Sequence, residues 1–272
     1  MHRPACQFGR LLRFEAGLIL KRKKFASFAM TTTVAIHQPN FLPWLGFFDK
    51  WAKSDILILL DDVQFPKTGG VWTNRSQIVE QGKPAWLTVP INRTYSGVVN
   101  INQIQVSPDN SWKKKMISRL SHTYGKHPFF TQVSPMIFSS IELADSLLSP
   151  FNVSTLLSIG EELGLSTNQV FLSSALKHEG NGTELLCSLT SSIGADTYFA
   201  GGGATGYQED SLFEEHGIHL KYQNFVPPTH SQVGLKEFVP GLSVIDALMN
   251  IGFEGSRKLL GINSEQSKRQ SK

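Results

Sequence analysis

The sequence predicts an α/β fold: a Rossmann-like, mainly parallel sheet with helices on both faces, plus a helical insertion. Short runs of Val, Ile and Leu alternate with amphipathic stretches, the rhythm of strand–helix–strand units. Two of those runs, residues 33–36 and 56–60, break abruptly into polar side chains. The chain has 272 residues, 40% hydrophobic and 18% charged, enough for a sizeable core in a globular protein.

The elements follow in order. Residues 33–36 read as a strand that stops at His37-Gln38-Pro39-Asn40, and an apolar helix leads on to a second strand, 56–60, ending at Asp61-Asp62. Residues 86–91 read as a strand, and 100–106 as another with a period of two. Residues 112–124 place Trp112, Met116, Ile117 and Leu120 on one helical face, with Lys113-Lys114-Lys115 on a solvated outer face. Two more helices are expected over 137–148 and 152–163, with Ser154 as cap and Gly164 as stop for the second.

A β–α–β rhythm then repeats. The strand at 169–172 ends at Ser173-Ser174, and Asn181-Gly182-Thr183-Glu184 opens a helix over 183–193. The strand at 196–200 ends at Gly201-Gly202-Gly203, a short helix spans 211–216 before Gly217, and 218–225 is the last strand. Helical crossovers between strands imply right-handed connections in a parallel sheet.

Charge is unevenly spread. The net +4 comes from the ends: residues 1–30 hold seven Lys or Arg against Glu15, and 256–272 hold five against Glu265. The body between them is net acidic, so nucleic acid has no electrostatic case as the main ligand. Cys6 and Cys187 are too few for a disulfide framework, and no Cys-x-x-Cys spacing suits structural zinc. Cys187, within Leu185-Leu186-Cys187-Ser188-Leu189, is expected to be a buried inert thiol, and the chain reads as cytoplasmic.

Residues 11–20 are apolar but broken by Arg13 and Glu15 and followed by Lys21-Arg22-Lys23-Lys24, the wrong order for a secretory signal. No run reaches the roughly 18 apolar residues of a membrane span. Residues 1–29 are expected to be disordered or a spurious extension, with folding from Met30 to about 263 and a disordered tail at 264–272.

Three constellations carry candidate chemistry. His37 with Asp61 and Asp62 would make an oriented general base, joined at the strand ends by Gln38, Asn40 and Gln64. Adjacent carboxylates on a strand face opposite ways, so one of the two orients His37 or binds a metal; no metal-ligand set is assigned. The second is Gly201, Gly202 and Gly203 with Tyr207, whose backbone N–H groups suit a phosphate or carboxylate. It is neither a P-loop nor a dinucleotide fingerprint. The third joins Asn74 and Arg75 to His230 and Gln232, with Arg75 for bidentate anion capture and His230 as a second acid or base.

Family resemblance now adds to these residues. Ile36-His37-Gln38-Pro39-Asn40-Phe41-Leu42-Pro43-Trp44-Leu45-Gly46, Asp61-Asp62-Val63-Gln64-Phe65, Asn74-Arg75, Leu87-Thr88-Val89-Pro90, residues 201–207 and Phe238-Val239-Pro240-Gly241-Leu242-Ser243-Val244-Ile245-Asp246 resemble, in order, the WbqC-like protein family. The resemblance spans about residues 34–260. Where that family commonly has Tyr in its Pro-x-x-x-Gln segment, this chain has His230.

The resemblance implies a bacterial, cytoplasmic transferase of O-antigen (lipopolysaccharide) and related polysaccharide biosynthesis. It implies transfer of an acyl or aminoacyl group, such as glycyl, to an amino sugar on a nucleotide. An aminoacyl-tRNA donor is then the one nucleic-acid partner, and the cofactor is unknown. The opening motif is also similar to Gln-Pro-Phe-His-x-Gly-His of nucleotidylyl transferases, but Trp44 and Phe47 stand where those enzymes place histidines. The alternatives are a non-catalytic carbohydrate-pathway binding protein and a degenerate nucleotidylyl transferase.

Overall fold

The computed structural model describes residues 31–66, 72–204 and 208–262. The expectations for the two ends of the chain lie outside those residues. Five parallel strands form the main sheet: β1 (Thr33–His37), β2 (Ile56–Leu59), β5 (Val170–Leu172), β6 (Thr197–Ala200) and β7 (His219–Tyr222). Their order is β5-β2-β1-β6-β7. The α/β, Rossmann-like expectation therefore holds. β3 (Arg75–Glu80) and β4 (Lys83–Thr88) make a separate antiparallel hairpin. Its turn residues Gln81 and Gly82 both have positive φ, +50° and +76°, matching the twist of the flanking strands.

Seven α-helices complete the described fold: α1 (Leu45–Ala52), α2 (Ser111–Tyr124), α3 (Phe130–Glu142), α4 (Leu148–Glu162), α5 (Thr183–Ser192), α6 (Asp210–Glu215) and α7 (Val244–Leu259). Strand alternation divides them. Ala35, Leu57 and Leu59 face a large core with α1–α4, α7 and the hairpin, whereas Val34, Ile36 and Ile58 face a second core with α5 and α6. Tyr198 stacks on Phe213 at 5.2 Å in the second core. Cys187 is also buried there, its thiol pKa raised by burial and by Glu184, as an inert side chain should be.

Several local expectations are corrected. Residues 100–106 are not a strand: Ile101–Gln103 form a 3-10 turn, and only isolated bridges such as Ile91 with Val106 remain. Ile101, Ile104 and Val106 are buried, so a step of three across the 3-10 turn breaks the period of two. The strand expected at 86–91 ends at Thr88 and begins at Lys83. The two middle helices start seven and four residues earlier than expected, at Phe130 and Leu148, and Ser154 lies inside α4 rather than at its cap. Pro135 sits in the second turn of α3, forfeiting one bond without ending the helix. Lys113 is not merely solvated: its ammonium donates to the Glu142 and Ala144 carbonyls, satisfying the exposed end of α3.

Long-range contacts fasten the hairpin and loops. The Arg119 guanidinium on α2 grips the Glu80 carboxylate with Nε and with Nη2 (2.8 Å), and donates from Nη1 to the Trp86 carbonyl at 2.8 Å. Asn152 on α4 donates from Nδ2 to the Pro39 and Thr73 carbonyls at 2.8 and 2.6 Å, clasping the loop after β1 to the start of β3. Leu42 in that loop takes φ +44° although Pro43 follows, a conformation that disfavours any side chain. Ser243 holds it there, donating from Oγ to the Leu42 carbonyl at 2.7 Å.

α1 and α4 meet at Gly160, where an added Cβ would lie 2.3 Å from Trp51 Cη2. Gly160→Ala gains helix propensity of about 1 kcal/mol but overpacks at about 1–3 kcal/mol. The expected net loss is roughly 1–2 kcal/mol, seen as a melting point several degrees lower. A variant as stable as the parent would show that this contact yields.

Candidate functional site

The sheet order sets the site. From β1 the chain crosses to β2 on one side, and later to β6 on the other. Such a switch point opens a crevice at the carboxyl ends of the two strands. β1 ends there at His37, followed by Gln38, and β6 ends at Ala200, followed by Gly201-Gly202-Gly203. His37 and Gln38 of the first constellation and the glycines of the second therefore stand at the two strand ends of one switch point. Thr205, Gly206 and Tyr207 lie outside the described residues.

His37 is held edge-on between Trp44 and Phe47, at ring distances of 5.7 and 5.0 Å. Its Nδ1 lies 3.0 Å from the Gln38 carbonyl, which can only accept, so the proton sits on Nδ1 and Nε2 keeps its lone pair. His37 as a residue is half-buried, and burial, then the nearby Lys50 charge, lowers its pKa to about 3. The Gln38 bond opposes both and loses.

Lys50 went unnoticed in the sequence. It lies in an α1 whose other side chains, Asp49 apart, are apolar or Gly, and that isolation was the available signal. It is 4% exposed, and burial lowers its pKa to about 7. Its Nζ donates to the Ile36 carbonyl at 2.7 Å, and an added Cβ at Gly201 would lie 3.8 Å from it. Asp49 is turned elsewhere: Gln223, just past β7, donates to its Oδ2 at 2.7 Å, and Lys53 reaches its Oδ1 at 2.7 Å.

His37 and Asp61 do not pair. Asp61 is buried and accepts from the Ser174 N–H (3.0 Å), Ser174 Oγ (2.9 Å) and Ser173 Oγ (3.1 Å). It joins the end of β2 to the end of β5, one strand away from the switch point. Asp62, half-buried, accepts from Ser173 Oγ and lies 2.8 Å from His178 Nε2. His178 was not among the expected residues, because its partner is 116 positions away. Among the described residues, no three His, Cys, Asp or Glu side chains are placed to hold a metal ion.

An aromatic ladder runs away from His37. Trp44 meets Trp72 at 5.1 Å, Trp72 meets Trp86 at 5.5 Å, and the Arg75 guanidinium lies over the Trp86 ring at 4.1 Å. All four side chains are half-buried, as a ring-stacking surface requires. Arg75 Nε and Asn40 Oδ1 are buried without a hydrogen-bond partner among the described residues. Asn74 serves the scaffold instead, donating from Nδ2 to the Val89 carbonyl at 3.1 Å. Gln64 is exposed on a backbone bridge to Asn100.

His230 and Gln232 go to a third place. Both meet the buried Asp246 of α7, His230 Nε2 at 3.2 Å and Gln232 Nε2 at 2.8 Å, whereas Arg75 lies over Trp86. A shallow cleft lined by Trp44, Phe225, Pro228, His230 and Phe238 lies beside them, with room for roughly a water or two. Trp44 is the wall shared by this cleft and the ladder.

Fold and site together define an α/β protein in which the β1–β6 switch point, at His37, adjoins a tryptophan ladder. The sequence pattern of the WbqC-like protein family matches residues 38–258, and the chain belongs to that family. It is also 28% identical over 224 residues to the uncharacterized protein Rv1507c of Mycobacterium tuberculosis, covering 81% of this chain and 94% of that one. No solved structure matches the chain. No helix among the described residues is long and apolar enough to cross a membrane.

Proposed function

We propose that the protein is a cytoplasmic transferase of bacterial surface-polysaccharide (O-antigen) biosynthesis, moving an acyl or aminoacyl group onto an amino sugar carried on a nucleotide. One observation carries this reading: the crevice joins a triple-glycine turn beside Lys50 to a ladder of half-buried tryptophans. Glycine backbone lets a diphosphate approach closely, while the ladder offers faces for a planar base or a sugar ring. Arg75 Nε and Asn40 Oδ1 each cost about 1–3 kcal/mol if left unpaired, which a ligand meeting them would recover.

In this reading His37 accepts a substrate hydrogen bond at Nε2, because a group with a pKa of about 3 is a poor base at neutral pH. Low basicity at His37 also gives the rival reading its one support, a binding protein without chemistry.

The test is incubation with nucleotide-linked amino sugars and activated acyl or aminoacyl donors, read by mass. A product heavier by the acyl group supports transfer. Binding of a nucleotide sugar with no mass change under any donor supports the binding protein. Arg75→Lys is expected to weaken nucleotide-sugar binding about tenfold by calorimetry, since an ammonium keeps the charge but loses the planar stack on Trp86. Unchanged affinity would remove Arg75 and the ladder's far end from the site.

A further inference from the structure

Lys50 is a buried amine that no carboxylate pairs with among the described residues. Buried lysines are ordinarily paired, because an unpaired buried charge costs several kcal/mol. Among the described residues Nζ makes one hydrogen bond, to the Ile36 carbonyl, using one of its three donors. The charged groups around it are few. Asp49 on its own helix is bound to Lys53 and Gln223, His37 on β1 is kept neutral, and Gln223 beyond β7 carries no charge. Its position is as informative as its isolation. Nζ bonds the carbonyl of Ile36, the next-to-last residue of β1, and lies beside Gly201, the first residue after β6, the two strands that frame the crevice.

We propose that Lys50 is the proton acceptor of this crevice, its amine taking the proton that an amino-sugar nitrogen loses as it bonds to an activated acyl carbon. The inference rests on the transfer reading above and names a residue for its chemistry. The acceptor nitrogen forms a bond to the acyl carbon, and the bond from that carbon to the donor's oxygen or sulfur breaks. The nitrogen's proton passes to Nζ, and Nζ returns it to the departing oxygen or sulfur, so charge and protons balance. A burial-lowered lysine near neutrality suits both halves of that exchange, whereas an ordinary lysine would be charged and unable to accept. Direct acylation of Nζ is the weaker chemistry, since the resulting amide would not release its acyl group to a second amine.

The experiment has two arms. In the first, protein carrying lysine labelled with 13C at Cε is titrated by NMR from pH 5 to 10. One resonance is expected to move with a midpoint near 7 and to be absent from Lys50→Arg or Lys50→Met, whichever folds. If every lysine titrates above about 9.5, the inference is overturned whatever the assays show. In the second arm, both variants enter the donor–acceptor panel. Wild-type rate is expected to rise with pH and level off above about 7, and each variant to lose about 10²–10⁴-fold with that break removed. A variant that keeps the rate and the break overturns the inference while leaving transfer intact. An empty panel removes the transfer reading. In that case UDP-glucosamine is added to the NMR sample: a Lys50 midpoint that moves keeps the site, and one that stays put overturns it.

Discussion

Asp61→Ala is expected to lower stability by about 1–3 kcal/mol, since it strips the Ser174 N–H of its buried acceptor, while the Ser173 hydroxyl keeps Asp62 and the exposed Ser174 hydroxyl turns to water. At roughly 2–4 °C per kcal/mol for a chain of this size, the melting point should fall by about 2–12 °C. Asp61→Asn keeps one carbonyl oxygen for the Ser174 N–H and should recover part of the loss. Asp62→Ala should cost less, because that side chain is half-exposed and its partner His178 can turn to water. Thermal melts of the three variants decide whether Asp61 is a fastener. An Asp61→Ala protein that melts like wild type but no longer binds nucleotide sugar would return Asp61 to the functional site.

The second large effect is an acid-side loss of stability centred on His37. Its pKa falls from 6.5 to about 3 on folding, so between those values the unfolded chain binds the extra proton and the folded one does not. The contribution is complete above pH 6.5 and is lost as the pH drops toward 3. At about 1.4 kcal/mol per unit the loss approaches roughly 5 kcal/mol, less whatever solvent screens. His37→Gln removes the titration, so the difference between its denaturation free energy and that of wild type should shrink steadily from pH 7 to pH 4. Parallel curves over that window would mean that His37 is freely solvated. Removing the Lys50 charge should raise the His37 pKa and flatten the same limb, because that charge is the second cause of the shift.

The main sheet was legible because its inner strands are continuous apolar runs, such as Ile56-Leu57-Ile58-Leu59, and both faces of the sheet are covered. Legibility faded where burial is one-sided or broken. β3 alternates polar Arg75 and Gln77 with buried Ser76 and Ile78, and went unread. So did α7, which is two helical segments joined at a kink where Gly252 takes φ +69°. The site divided in the same way. His37, Gln38 and the three glycines stand at strand ends, where topology alone brings them to the crevice. Asp61 also stands at a strand end but faces the edge strand, and sequence offers no sign of which neighbour a carboxylate will choose. Lys50, His178 and Asp246 draw their significance from contacts across the fold, with residues that local spacing does not connect.

The sheet that positions the crevice also keeps two hydrophobic interiors apart. The α5–α6 side is the smaller, and it borrows alternate residues of β1 and β2 for its floor. A layer built this way can detach as a cooperative unit while the larger interior stays closed, so backbone amides of α5 and α6 exchange with solvent sooner than those of α4 and α7. The triple-glycine turn belongs to a strand of the smaller side, and His37 ends a strand shared by both. Any molecule that spans the two therefore acts as a clasp across the sheet, slowing exchange in helices it never touches.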